Sequence, residues 1–153
     1  AAIRSWSRLA LVLKGIMTAE DARIAIDHGV DAIVVSNHGA RQLDRVPASI
    51  DLLSEVVDAV GGSTEIWVDG GVRRGLDIAI AVALGARGVL LGRPVLWALA
   101  AAGGVGVERA LGILREEFEI ALALLGAPTP ADLRADHVSA PDRSSGGFAG
   151  SPV

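Results

Sequence analysis

The six residues Ser36-Asn37-His38-Gly39-Ala40-Arg41 follow directly on the apolar run Ala32-Ile33-Val34-Val35 and bring an imidazole and a guanidinium close together. With the backbone extended through them, Ser36 and His38 face one side and Asn37 the other. Gly39 then turns the chain and carries Arg41 back over the same mouth. A proton acceptor and a two-pronged anion clamp that converge on one spot suit chemistry on a small carboxylic acid. Alone after an apolar strand, His38 reads as structural; Arg41 and Ser36 beside it shift the balance.

Two glycine turns add an anion site. Asp69-Gly70-Gly71-Val72-Arg73 follows Ile66-Trp67-Val68, and Gly92-Arg93 follows Gly88-Val89-Leu90-Leu91. In each, glycines let backbone N–H groups approach an anion without a Cβ in the way, and an arginine adds charge. Either turn alone is also an ordinary tight connection with a solvated arginine; together they read as a phosphate cradle. Lys14, at the end of Leu11-Val12-Leu13, points into the same mouth, where a fixed cation would stabilise charge developing on a cofactor. By itself it would be a surface lysine paired with a nearby carboxylate. His28 and His137 read as structural or solvated, the three tryptophans as packing residues, and Glu116, Glu117 and Glu119 as a wet helix face. No metal-ligand set is expected.

These residues need a scaffold that brings several strand ends together. The four apolar runs alternate with helical patterns, as parallel strands buried on both faces do. Thr18 with Asp21 forms a helix start that Gly29 stops. Ile50, Leu53, Val57 and Val60 recur at helical spacing before Gly61-Gly62, and Leu76, Ile80 and Ala83-Leu84 before Gly85. A last helix over 105–125 puts Leu111, Leu114, Phe118 and Leu122 on one stripe. The fold class is α/β, four βα units, where a complete (β/α)8 barrel takes about 200 residues or more. The domain is expected over 1–133, as the second half of such a barrel, with a disordered polar tail over 134–153.

Composition narrows the partners. The chain has 153 residues, 51% hydrophobic, enough to bury a core. Fourteen Lys and Arg against 18 Asp and Glu, with no basic stripe, speak against nucleic acid. Charges interrupt the long apolar runs, so no membrane span is expected. The absence of cysteine excludes a thiol nucleophile or a Cys-ligated metal in this sequence and fits the cytoplasm. Ala1 to Trp6 lacks a signal peptide's apolar core, and Ser151-Pro152-Val153 is not a peroxisomal address.

In order and separation, Leu13-Lys14-Gly15-Ile16, the stretch Ser36-Asn37-His38-Gly39-Ala40-Arg41-Gln42-Leu43-Asp44, then Asp69-Gly70-Gly71-Val72-Arg73-Arg74-Gly75 and Gly92-Arg93-Pro94 resemble a known family. It is that of the FMN-dependent 2-hydroxy-acid oxidases and dehydrogenases, and the resemblance covers their C-terminal half, from about Leu9 to Leu133. It implies FMN as cofactor and oxidation of an L-2-hydroxy acid, lactate or glycolate, to the 2-oxo acid, with oxygen or another acceptor taking the electrons. By resemblance His38 is the base, Arg41 grips the substrate carboxylate, Lys14 lies beside the flavin N1 and Ser36 near its ring. Asp69, Gly70, Gly71, Val72, Arg73, Gly92 and Arg93 then hold the ribityl chain and phosphate. Many members carry Gly where this chain has Ala40, and Ala there hints at short aliphatic substrates. A homo-oligomer is implied for the full-length protein. The alternative is a half-barrel that binds a flavin or phosphorylated metabolite without turning it over.

Overall fold

The computed structural model describes residues 2–139. In chain order it contains α1 (Ala2–Trp6), β1 (Val12–Ile16), α2 (Ala19–Asp27), β2 (Ala32–Val35), α3 (Ser49–Val60), β3 (Glu65–Asp69), α4 (Gly75–Ala83), β4 (Gly88–Leu90) and α5 (Arg93–Leu125). Short 3-10 turns lie at His38–Ala40, Pro130–Asp132 and Ala135–His137. The strands form one parallel sheet in the order β1-β2-β3-β4, each beside its sequence neighbour. Parallel pairing requires a crossover between successive strands, and α2, α3 and α4 supply it.

Burial follows position in the sheet. All four residues of β2 are buried, because β2 has a strand on each side and helices behind it. Ile33, Val35, Ile66 and Val68 pack on Ala22, Ala25, Leu53, Val56 and Val60 of α2 and α3. The edge strand β1 is different: Val12 is 51% exposed and Leu13 39%. Local signals end the helices as the sequence suggests. Thr18 accepts from the Asp21 N–H at 3.1 Å, and α3 stops at Gly61 with φ 57°.

The helix faces depart from the expected stripes. On α4 the buried residues are Gly75, Ala79, Ala81 and Ala83, while Leu76 is 53% exposed; on α5 Leu111 is also exposed. The reason is the closeness of α4 and α5. A Cβ on Gly75 would lie 2.2 Å from the Phe118 backbone nitrogen, so only small residues fit the contact. Glu117, expected on the wet face, instead accepts the Gly75 N–H at 2.8 Å, which holds its carboxyl below the ordinary carboxylate value. Trp6 and Trp97 are exposed rather than packed inside.

Helix α5 begins at Arg93, twelve residues before the expected 105, but Ala102 and Gly103 leave helical geometry and divide it. By length and composition alone it is long and apolar enough to cross a membrane, although, as expected from the sequence, charges interrupt the run before it reaches 18 uncharged residues. Its weakly charged stretch, from Pro94 to Leu114 with only Glu108 and Arg109, straddles that break. The tail expected from residue 134 divides as well. Ala135–His137 forms a turn, and Val138 packs against the cluster of Ala79, Ala83, Ala121 and Leu122. The remainder, 140–153, lies outside the described residues. Helix α1, which no sequence pattern announces, is tied by Arg4 to Asp31 and to the Gly29 carbonyl.

Candidate active site

The C-terminal ends of all four strands open into one cleft of about 180 Å³. Parallel strands make this convergence unavoidable, since each delivers its following loop to the same edge. Lys14 enters from β1, His38 and Arg41 from the turn after β2, Asp69, Gly70, Gly71, Val72 and Arg73 from β3, and Gly92 and Arg93 from β4. Every residue proposed from sequence lines this cleft except Ser36. That serine is only 3% exposed and lies beneath, where its Oγ accepts from Lys14 Nζ at 2.7 Å and from the His38 N–H at 3.1 Å. Ser36 therefore builds the floor.

The backbone at His38 corrects the extended-strand picture. β2 ends at Val35, and His38, Gly39 and Ala40 all turn left-handed, with φ of 55°, 68° and 56°. For a residue with a Cβ that conformation costs about 1–2 kcal/mol. It is this turn, and not strand alternation, that brings His38 and Arg41 to one cleft. Asn37, assigned to the opposite face from sequence, caps the turn: its Oδ1 accepts the Gly39 N–H at 2.9 Å and its Nδ2 donates to the Pro47 carbonyl at 3.2 Å. The Asn37 N–H in turn donates to Ser49 Oγ at 3.0 Å. Sequence reasoning missed both residues, although asparagine bonding its own backbone two residues on is a known turn signal.

Lys14 satisfies both of its sequence readings at once. Its Nζ pairs with Asp69 Oδ2 at 2.8 Å, yet the pair sits at the mouth. Asp69 Oδ1 is buried with no hydrogen-bond partner, a free acceptor beside the cleft. A Cβ at Gly71 or Gly92 would meet nothing within 4 Å, so the backbone there is open to an approaching group. Arg73 lies over the Trp97 ring, 5.9 Å from its centroid, within cation–π range. Arg93 and Pro94 begin α5, where proline has no N–H and the Val95 and Leu96 N–H groups donate to the Gly92 carbonyl at 3.1 and 3.3 Å. Among the described residues no carboxylate pairs with Arg41, Arg73 or Arg93. Free cations, an orphan acceptor and open glycine backbone fit a ligand with a phosphate and a hydroxylated chain, as FMN has.

A second cleft of about 540 Å³ lies behind Asn37 and Gly39, against Ser49, Val68, Ile80 and Leu84. It shares Gly39, Gly70, Gly71, Val72 and Arg93 with the first cleft but carries none of Lys14, His38 or Arg41. At about 180 Å³ the first cleft falls below the ~300 Å³ at which closed ligand pockets begin, and it is open to one side.

Known proteins match this arrangement. Glycolate oxidase 5 of Oryza sativa subsp. japonica is 52% identical over 136 residues, covering 89% of this chain and 37% of the relative. The peroxisomal (S)-2-hydroxyacid oxidase of Arabidopsis thaliana is 53% identical over 136 residues, with shares of 89% and 38%. The crystal structure of mandelate oxidase with benzoyl-formic acid superposes with a TM-score of 0.85 at 52% identity, covering 87% of this chain and 40% of that one. The chain thus spans about two fifths of the length of the relatives it matches, and its four βα units are part of a (β/α)8 barrel. The family model described as FMN-dependent dehydrogenase matches residues 1–140, wider than the 9–133 suggested by the motifs, and the chain belongs to that family.

Proposed function

We propose that the whole enzyme to which this chain contributes oxidises a short L-2-hydroxy acid, of the lactate or glycolate type, to the 2-oxo acid. The observation that carries this reading is the meeting of His38 and Arg41 in one cleft with the phosphate-type cradle. Arg41 offers a planar fork that binds the substrate carboxylate through two hydrogen bonds and so orients C2. His38 then accepts a proton from the substrate as C2 is oxidised. FMN, when bound, supplies the chemistry that takes up the electron pair.

The other side chains hold and tune the cofactor. Asp69 Oδ1, without a partner, would accept from a ribityl hydroxyl, and Gly71, Gly92, Arg73 and Arg93, which line the same cleft, would hold the phosphate. Lys14, fixed between Ser36 and Asp69, presents positive charge where reduction makes the ring more negative. Oxygen or another acceptor takes the electrons onward. A cytoplasmic homo-oligomer completes the proposal; fractionation tests the compartment against the peroxisome named for one relative.

The deciding experiment uses the whole enzyme. His38→Ala should lower the rate of flavin bleaching by lactate or glycolate by about 10²–10⁴-fold while leaving the protein yellow. Unimpaired bleaching would remove His38 from its role. A second reading, a half-barrel that binds FMN without turnover, is favoured by the chain's 37–38% share of its relatives. It predicts that this chain takes up FMN but does not bleach on addition of any 2-hydroxy acid.

A further inference from the structure

We infer that Asn37, seated on Ser49, is the positioning residue that sets the orientation of His38. The inference rests on the reading of His38 as the base. Strand β2 ends at Val35, so no ladder hydrogen bond reaches the imidazole-bearing residue. His38, Gly39 and Ala40 instead form a run of three left-handed residues, two of them with a Cβ that disfavours the conformation. Such a turn persists only when its surroundings over-determine it.

Asn37 supplies most of that determination. Its Oδ1 takes the Gly39 N–H from inside the turn, and its Nδ2 ties the turn to the Pro47 carbonyl at the entrance to α3. Its own N–H is fixed by the hydroxyl of Ser49, which is 1% exposed. Ser36 also holds the His38 N–H, but that hydroxyl is shared with Lys14. An amide is the side chain that provides an acceptor two residues on and a donor ten residues on; leucine has neither and aspartate lacks the donor.

The end of β3 closes the arrangement. A Cβ on Gly70 would come 3.2 Å from Asn37 Oδ1 and 3.3 Å from Ser49 Oγ, so glycine beside Asp69 leaves the room this pair needs. His38 is therefore aimed from α3 and β3, not from the strand that precedes it. An aim set this way affects the proton-transfer step more than cofactor binding.

The test compares flavin bleaching at saturating substrate with FMN affinity and KM in the whole enzyme. Asn37→Ala should slow bleaching by about 10- to 100-fold, the scale of a small misplacement of a reacting group, with FMN affinity and KM within about three-fold. Asn37→Asp keeps the acceptor for Gly39 and should restore the rate to within about five-fold of the parent. In a His38→Ala background, Asn37→Ala should have no further effect. If Asn37→Ala does not fold, Ser49→Ala carries the test, with an expected slowing of about three- to ten-fold at unchanged FMN affinity. A parental rate in Asn37→Ala, or in Ser49→Ala where that variant stands in, beside an inactive His38→Ala overturns the inference alone. So does parallel loss of rate and FMN binding. Undiminished bleaching in His38→Ala instead overturns the catalytic reading on which it rests.

Discussion

The two ends of the same four strands are built in opposite ways. At the N-terminal end polar groups are satisfied: Asp31 pairs with Arg4 and accepts the Leu11 N–H at 2.6 Å, and Thr64 Oγ1 donates to the Asp31 carbonyl at 2.6 Å. The Arg87 N–H donates to the Ile66 carbonyl at 2.7 Å, and its guanidinium pairs with Glu65. At the C-terminal end Asp69 keeps a buried oxygen without a partner, and three residues with a Cβ, His38, Ala40 and Arg45, sit left-handed. A buried unpaired acceptor costs about 1–3 kcal/mol. One end holds the sheet together, and the other gives up stability to keep groups free for a ligand, the division of labour expected of (β/α)8 barrels.

Substitutions can break that contrast or sharpen it. Leu53→Ala, in the core that serves both ends, sets the scale: it should cost about 2–5 kcal/mol by urea unfolding, because Leu53 is fully buried. A smaller loss would mean the helix layer is looser than its burial indicates. Gly75→Ala comes next, at about 1–3 kcal/mol, since its Cβ meets α5 backbone that has no room to yield.

At the mouth the sign should reverse. Ala40→Gly removes the Cβ from a left-handed position and should raise stability by about 1 kcal/mol, seen as a higher urea midpoint. A loss there would show that the turn is not strained. Asp69→Asn should change stability by less than about 1 kcal/mol while lowering FMN affinity of the whole enzyme, the signature of a site that trades stability for function. Equal loss in both measurements would erase the contrast between the two ends.

The pH dependence sharpens the other end. The hydrogen bond from Arg4, then that from the Leu11 N–H, holds Asp31 below its ordinary 3.8. A depressed carboxyl pKa in the folded state contributes stability that is complete above the unfolded value and is lost as pH falls through the folded one. Acid below about pH 4 should therefore loosen this end, and Glu117 with its Gly75 N–H behaves the same way. Arg4→Ala should flatten the acid limb of the stability curve; an unchanged limb would free Asp31 from that role.

Much of this was legible in the chain itself. Strands β2, β3 and β4 lie within a residue of the apolar runs because strands of a parallel sheet need continuous apolar residues whatever surrounds them, whereas the exposed edge strand β1 continues three residues past Leu13 to Ile16. Helix ends at Gly29, Gly61 and Gly126 were equally readable, since an end that turns left-handed calls for glycine. The buried faces of α4 and α5 were not. Leu76 and Leu111 had the right spacing, but the closeness of two helices is a property of their packing, and it left those leucines outside.

Residue order alone dictated the succession of elements, the parallel sheet and the list of groups at the mouth, because these depend on local hydrophobic period and on which residues end each strand. How those groups meet was settled by packing: the left-handed turn under His38, the Asn37 and Ser49 support, the Lys14 and Asp69 pair and the orphan oxygen. The supporting contacts join residues roughly 10 to 60 positions apart in the chain. They arise only when the sheet and the helices behind it bring distant residues within hydrogen-bond range.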